Sequence, residues 1–229
     1  MHRVRRVSLL AVLALAGTLA LTGCRSQPQV AIYIGDTTYT QKQIDGLVDQ
    51  FKAVPGADAA SAAGRVTEWI VLRDVAKKIV AEKKWPQPKV DTAAAAEGAG
   101  QPANSPLIKL VAEYQAYNQA LIGNVKPVTP TTADYTELRK RFIAAGIEQP
   151  STDLAAFRQK LQGDDLDLIS TRLGVRKLYE DGIKHAKVTV NPRYSPAEAA
   201  ILSDQAGHPI IVLPLNSNPG SGSAVHDRA

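Results

Sequence analysis

Methionine occurs in this 229-residue chain only at position 1, and cysteine only at position 24. A single cysteine excludes an internal disulfide framework. The shortage of methionine excludes the adaptable, thioether-rich kind of binding face, so a binding surface must use aliphatic and aromatic groups. Aromatic residues make up only 5% of the chain, and the histidines number four. His185, His208 and His226 lie far apart, whereas metal sites draw on clustered His, Cys or carboxylate groups. The one carboxylate cluster, Asp164, Asp165 and Asp167, reads as the start of a helix, where acidic groups suit the dipole, so no metal is expected. A Gly-x-Ser-x-Gly elbow is missing. So is a glycine-rich phosphate loop, since Gly220 and Gly222 follow a proline and lead into no helix. These absences argue against an enzyme and against a bound cofactor. A fixed-period repeat is also missing.

Charge of one sign is lacking too. The formal charge is +5, but Arg3, Arg5 and Arg6 precede residue 24 and no acidic residue does. Beyond that point 24 basic residues face 22 acidic ones. A nucleic-acid binder usually carries a strong basic stripe, so no nucleic-acid partner is expected.

What is present begins with those three arginines, followed by an apolar run from Leu9 to Leu21 and two small residues, Thr22 and Gly23. A charged head, an apolar middle and a small-residue end form the anatomy of a secretory signal. The uncharged stretch from Val7 to Gly23 is at the short limit for a membrane span. Leu21-Thr22-Gly23-Cys24 resembles the lipobox of bacterial lipoproteins. The resemblance implies cleavage before Cys24 and a thioether-linked diacylglycerol on its sulfur. It also implies a chain anchored by lipid to the extracytoplasmic face of the cell membrane.

After a tether over residues 24–29, Val30 to Ile34 reads as a strand. Gly35-Asp36 is a turn signal, and Thr37 to Tyr39 a short return strand. Thr40 with Gln43 forms a capping-box pattern opening a helix. Ala62 to Trp85 reads as a long helix with Val66, Trp69, Ile70, Ala76, Ile79 and Val80 along one side. Lys77, Lys78, Lys83 and Lys84 crowd its end, as a helix dipole favours. Residues 86–106, with four prolines and an alanine run, read as a flexible linker with little to bury. Helices are expected over Leu107–Ile122, over Thr132–Ala145 and over Asp165–Ala186. A short one is capped by Ser151 or Thr152. Pro196 to Asp204 reads as a further helical turn or two. Val188 to Val190 and Pro209 to Leu213 read as strands, and residues 216–229 as a disordered tail. The fold class is therefore mainly α, a helical body with short strands near both ends. Short strands need partners, so Val30–Ile34 is expected to pair with 188–190 or with 209–213 in a small sheet.

Two motifs resemble those of SurA-type and PrsA-type chaperones, whose peptide-binding domain is related in layout to that of trigger factor. Ala31-Ile32-Tyr33-Ile34-Gly35-Asp36, leading to Thr40, is similar to their opening strand, turn and helix cap. Val188-Thr189-Val190-Asn191-Pro192-Arg193-Tyr194 is similar to their closing strand. Ile34 stands where the family has Asn, one residue is extra before Thr40, and Ser195 replaces a terminal Gly. The segment from Val128 to Asp164 is too short for a parvulin isomerase domain and lacks its histidines and cysteine. The resemblance implies a domain over 30–215 that binds unfolded or exported polypeptides as a chaperone, without isomerase activity. The competing reading is a scaffolding lipoprotein docked to one specific envelope partner.

Four aromatic residues are candidates for peptide binding: Trp69, Tyr114, Tyr117 and Tyr135. At helical spacing each either lines a groove or belongs to the core. His185, between Lys184 and Lys187, is either a grip for an acidic partner or a solvated helix end. Tyr194 reads as a pin that anchors the closing strand on the helices.

Overall fold

The computed structural model describes residues 29–194 and 198–215. The expected signal, the lipobox residues Leu21, Thr22, Gly23 and Cys24, and the tail over 216–229 lie outside the described residues. Within them no helix is long and apolar enough to cross a membrane.

The chain opens with a hairpin, β1 (Val30–Ile34) and β2 (Thr37–Thr40). Gly35 makes its turn with φ +63°, and its N–H donates to the Ala186 carbonyl at 2.6 Å. A Cβ there would sit 2.8 Å from Lys78 Nζ, so glycine suits both the conformation and the close approach. Thr40 then starts α1 (Gln41–Lys52). Its Oγ1 accepts from Gln43 N at 3.3 Å, and Gln43 Oε1 accepts from Thr40 N at 2.8 Å. This is the expected capping box, and it satisfies two orphan donors at once.

The centre of the molecule is α2 (Ala62–Glu82). Its buried residues do not keep to one side as the spacing suggested. Ile70, Val71 and Leu72 are consecutive and all buried, as are Val75 and Ala76. A helix apolar around its circumference is one surrounded by others. Here the neighbours are α1, β1, α4 (Pro106–Asn124) and α7 (Asp164–His185). The lysines of α2 also have specific partners in place of a general dipole role. Lys77 Nζ lies 2.8 Å from Glu113 Oε2, and Lys78 Nζ donates to the Ile34 carbonyl at 3.2 Å. Lys83 and Lys84 fall beyond the helix end.

A second cluster joins Leu138 of α5 (Thr132–Ala144) and Phe157 of α6 (Leu154–Lys160) to Ile169 and Leu173 of α7. α7 continues into the first cluster through Val175, Tyr179 and Ile183. Gly174 sits between the two. A Cβ at this position would come within 2.6 Å of the Lys126 carbonyl oxygen. The missing side chain lets the 125–130 connector cross α7, where Val128 N donates to the Ser170 carbonyl at 2.9 Å.

The molecule is mainly helical with small antiparallel sheets, the expected class. β3 (Thr189–Val190) flanks β1, with Ile32 opposite Val190 and Tyr33 opposite Thr189, giving the order β2-β1-β3. The ends of the helical body are thus tied together, as one of the two expected pairings requires. Tyr194 is 3% exposed and its hydroxyl donates to Asp45 on α1 at 3.0 Å, which is the anchoring role read for it.

Three expectations are corrected. Within the stretch read as helical over 196–204, residues 199–203 are instead a strand: β4 (Ala199–Ser203) pairs with β5 (Pro209–Leu213) in a separate hairpin, so β5 does not join β1. Asp204 closes that turn, its Oδ1 accepting from His208 N at 2.7 Å. The cap of α6 is Asp153, which accepts from Ala156 N at 2.8 Å, and not Ser151 or Thr152. The stretch over 86–106 contains a helix, α3 (Thr92–Ala99), although no residue of it is fully buried.

Candidate functional site

α3 forms because its ends are signposted and its middle is alanine, the best helix former. Asp91 Oδ1 accepts from Ala93 N and Ala94 N at 3.1 and 3.0 Å, and Gly100 closes the helix with φ +60°. One face of α3, Ala94, Ala95, Gly98 and Ala99, is the outer wall of a cleft of about 370 Å³. The other walls are Phe51 at the end of α1, Val54 after it, Trp69 of α2, and Leu107, Ile108 and Val111 of α4, with Gln115 at the rim. The volume is at the low end for ligand clefts, and the lining is of the apolar kind they favour.

Trp69 is held from two sides. The Phe51 ring meets it edge-on with centroids 5.5 Å apart, and Tyr114 lies 6.4 Å away at a tilt of 31°. Such geometry favours the ring quadrupoles and fixes the indole in place. Glu68, the residue before it on α2, is 6% exposed and lines the opening between the start of α2 and the β4–β5 hairpin. Its ion-pair partner is Arg65, at 3.3 Å and half in solvent. Burial outweighs that cation and pushes the Glu68 carboxyl up to about 7. Burial, helped by the Glu68 charge, pushes the Tyr114 hydroxyl up to about 12. Tyr179, which donates to Asn118 Oδ1 at 3.3 Å, is raised by burial first, then by the neighbouring Tyr114 and Glu68.

The four aromatic candidates separate. Trp69 and Tyr114 share one stack, and Trp69 alone of the four lines the cleft. Tyr117, further along α4, does not line the cleft; it donates to Gln87 Oε1 at 2.9 Å with Lys77 over its ring. Tyr135 belongs with the second core, under the Arg158 guanidinium, 4.8 Å from its ring centroid. Cys24 and its lipobox lie outside the described residues. His185 is exposed at the end of α7, beside Asp181 and Glu82.

Sequence reasoning missed Phe51, Val54, Leu107, Ile108 and Val111 as liners, because core and cleft residues look alike at helical spacing. It also missed α3, for which a signal existed: an Asx cap, an alanine run, then glycine. Among the described residues no group of three His, Cys, Asp or Glu side chains is placed to hold a metal ion. No family model, curated protein or solved structure matches the chain.

Proposed function

We propose that this chain is an extracytoplasmic lipoprotein, anchored through Cys24, that binds unfolded or exported polypeptides as a chaperone without isomerase activity. The observation that carries the reading is the Trp69 cleft. It is apolar, partly open, and bounded by four helical segments rather than by a catalytic constellation. Apolar burial is not directional, so such a cleft accepts leucine, isoleucine or phenylalanine side chains from many sequences. Its size admits a few side chains of an extended segment and not a folded domain. The expected affinity is accordingly weak, and tolerance of sequence is its use. The lipobox-like Leu21-Thr22-Gly23-Cys24 supplies the compartment.

The test uses the full chain carrying Trp85→Phe, so that Trp69 is the single tryptophan reporter. Several unrelated unfolded polypeptides should quench or shift Trp69 fluorescence, and aggregation of each should be slowed. Trp69→Ala should abolish the slowing. Capture of one stoichiometric folded partner, with no effect on unfolded chains, would replace this reading by the scaffolding one. Measurable proline isomerisation of a test peptide would overturn the absence of isomerase activity. Cys24→Ala should prevent lipid labelling, and normal processing of that variant would remove the anchor from the proposal.

A further inference from the structure

We infer that α3 is a displaceable strap across the Trp69 cleft, competing there with the bound polypeptide segment. The inference rests on the peptide-binding reading of that cleft. α3 is eight residues long and has no buried residue, whereas Leu107 and Ile108 behind it are 1% and 0% exposed. An isolated helix of that length is marginal in water, so α3 depends on its docking, and the docking buries little. What faces the cleft from α3 is the methyl groups of Ala94, Ala95 and Ala99 and the bare backbone of Gly98. Leucine or phenylalanine from an incoming segment covers more apolar area per residue than alanine, and the gain scales with area. The strap is therefore the weaker occupant.

The flanks of α3 are built to let it move and return. At one end Gln87 Oε1 accepts from the Tyr117 hydroxyl at 2.9 Å. At the other, Gln101 Nε2 donates to the Gln50 carbonyl at 2.8 Å, and Gln50 Oε1 accepts from Leu107 N at 3.1 Å. Of the groups in these ties, Leu107 alone also lines the cleft, and it is tied through its backbone N–H. Pro86 and Pro88 on one side, Pro102 and Pro106 on the other, stiffen the connections. Displacement of α3 between these ties would uncover Phe51, Val54, Trp69 and Val111 together. A segment that must displace α3 binds with an apparent affinity reduced by the fraction of molecules in which the cleft is uncovered. Loosening the strap should then tighten binding without any new contact.

The probe is a ten-residue peptide of alternating leucine and serine, titrated against the full chain and read by Trp69 fluorescence in the Trp85→Phe background. Asp91→Ala removes the cap of α3 and leaves every cleft residue in place. It should bind the peptide about threefold or more tighter, with the melting temperature unchanged. Replacement of residues 92–99 by glycine and serine should tighten binding further. Equal or weaker binding by both variants, with wild type binding normally, would overturn the strap and leave the peptide-binding reading standing. Failure of all three forms to bind would remove both.

Discussion

At the residue scale the sharpest consequence belongs to Glu68. Its carboxyl ordinarily titrates near 4.5 and is raised to about 7 by burial. Between those values the folded chain holds a proton that the unfolded chain has lost, so stability falls as pH rises through this window. Above pH 7 the charge is buried with the half-exposed Arg65 as its ion-pair partner, a cost of up to about 3 kcal/mol. Glu68→Gln is therefore expected to be more stable than wild type at pH 8, by roughly 1–3 kcal/mol. The two should converge near pH 4. Denaturant midpoints at pH 4, 6 and 8 check this, and a wild type that gains stability relative to the variant as pH rises would refute it. The residue was visible in the sequence as a lone carboxylate in Val66-Thr67-Glu68-Trp69-Ile70. Its burial was not, because that depends on segments distant in sequence, the β4–β5 hairpin among them, closing over α2.

At the element scale, two N-caps of similar chemistry should have different reach. Thr40 opens α1, whose Ile44 and Val48 are buried in the main core. Asp91 opens α3, which buries no residue fully. Thr40→Ala should cost the whole molecule about 1 kcal/mol, lowering the melting temperature by about 2–4 °C. Asp91→Ala should leave the melting temperature in place and speed amide exchange over residues 93–99 only. Equal thermal shifts in the two variants would mean that α3 is part of the cooperative core. Legibility at this scale followed the same division. The β1 and β2 hairpin, the Thr40 cap and the long helices were readable because turn, cap and periodicity agree there. Ala199-Ala200-Ile201-Leu202 misled because alanine and leucine favour helix, yet the segment pairs with β5 and packs against α7. Tertiary pairing overrides so weak a local preference. For the cleft, Trp69 was legible as an aromatic candidate. Its partners were not, because four segments distant in sequence must converge before a groove exists.

At the scale of the whole molecule, two apolar clusters share elements and should behave as one part. α7 contributes Ile169 and Leu173 to one and Val175, Tyr179 and Ile183 to the other. β5 does the same, with Ile210 and Ile211 in the smaller cluster and Leu213 in the larger, while Ile201 of β4 touches both. A break between them would have to cut a continuous helix and a continuous strand at once, so they should unfold in one transition. Phe157 tests this from the far side. It is 1% exposed, packs edge-on to Phe142 at 5.4 Å, and lies in the smaller cluster. Phe157→Ala should cost about 3–5 kcal/mol. If the clusters are one unit, Trp69 fluorescence, which reports on the larger cluster, should shift its denaturant midpoint together with far-ultraviolet circular dichroism, and the slope of the transition should stay unchanged. If Trp69 instead keeps its wild-type midpoint while part of the helical signal is lost earlier, α7 is not coupling the two. The molecule would then be a larger unit around α2 with a smaller, separately melting appendage.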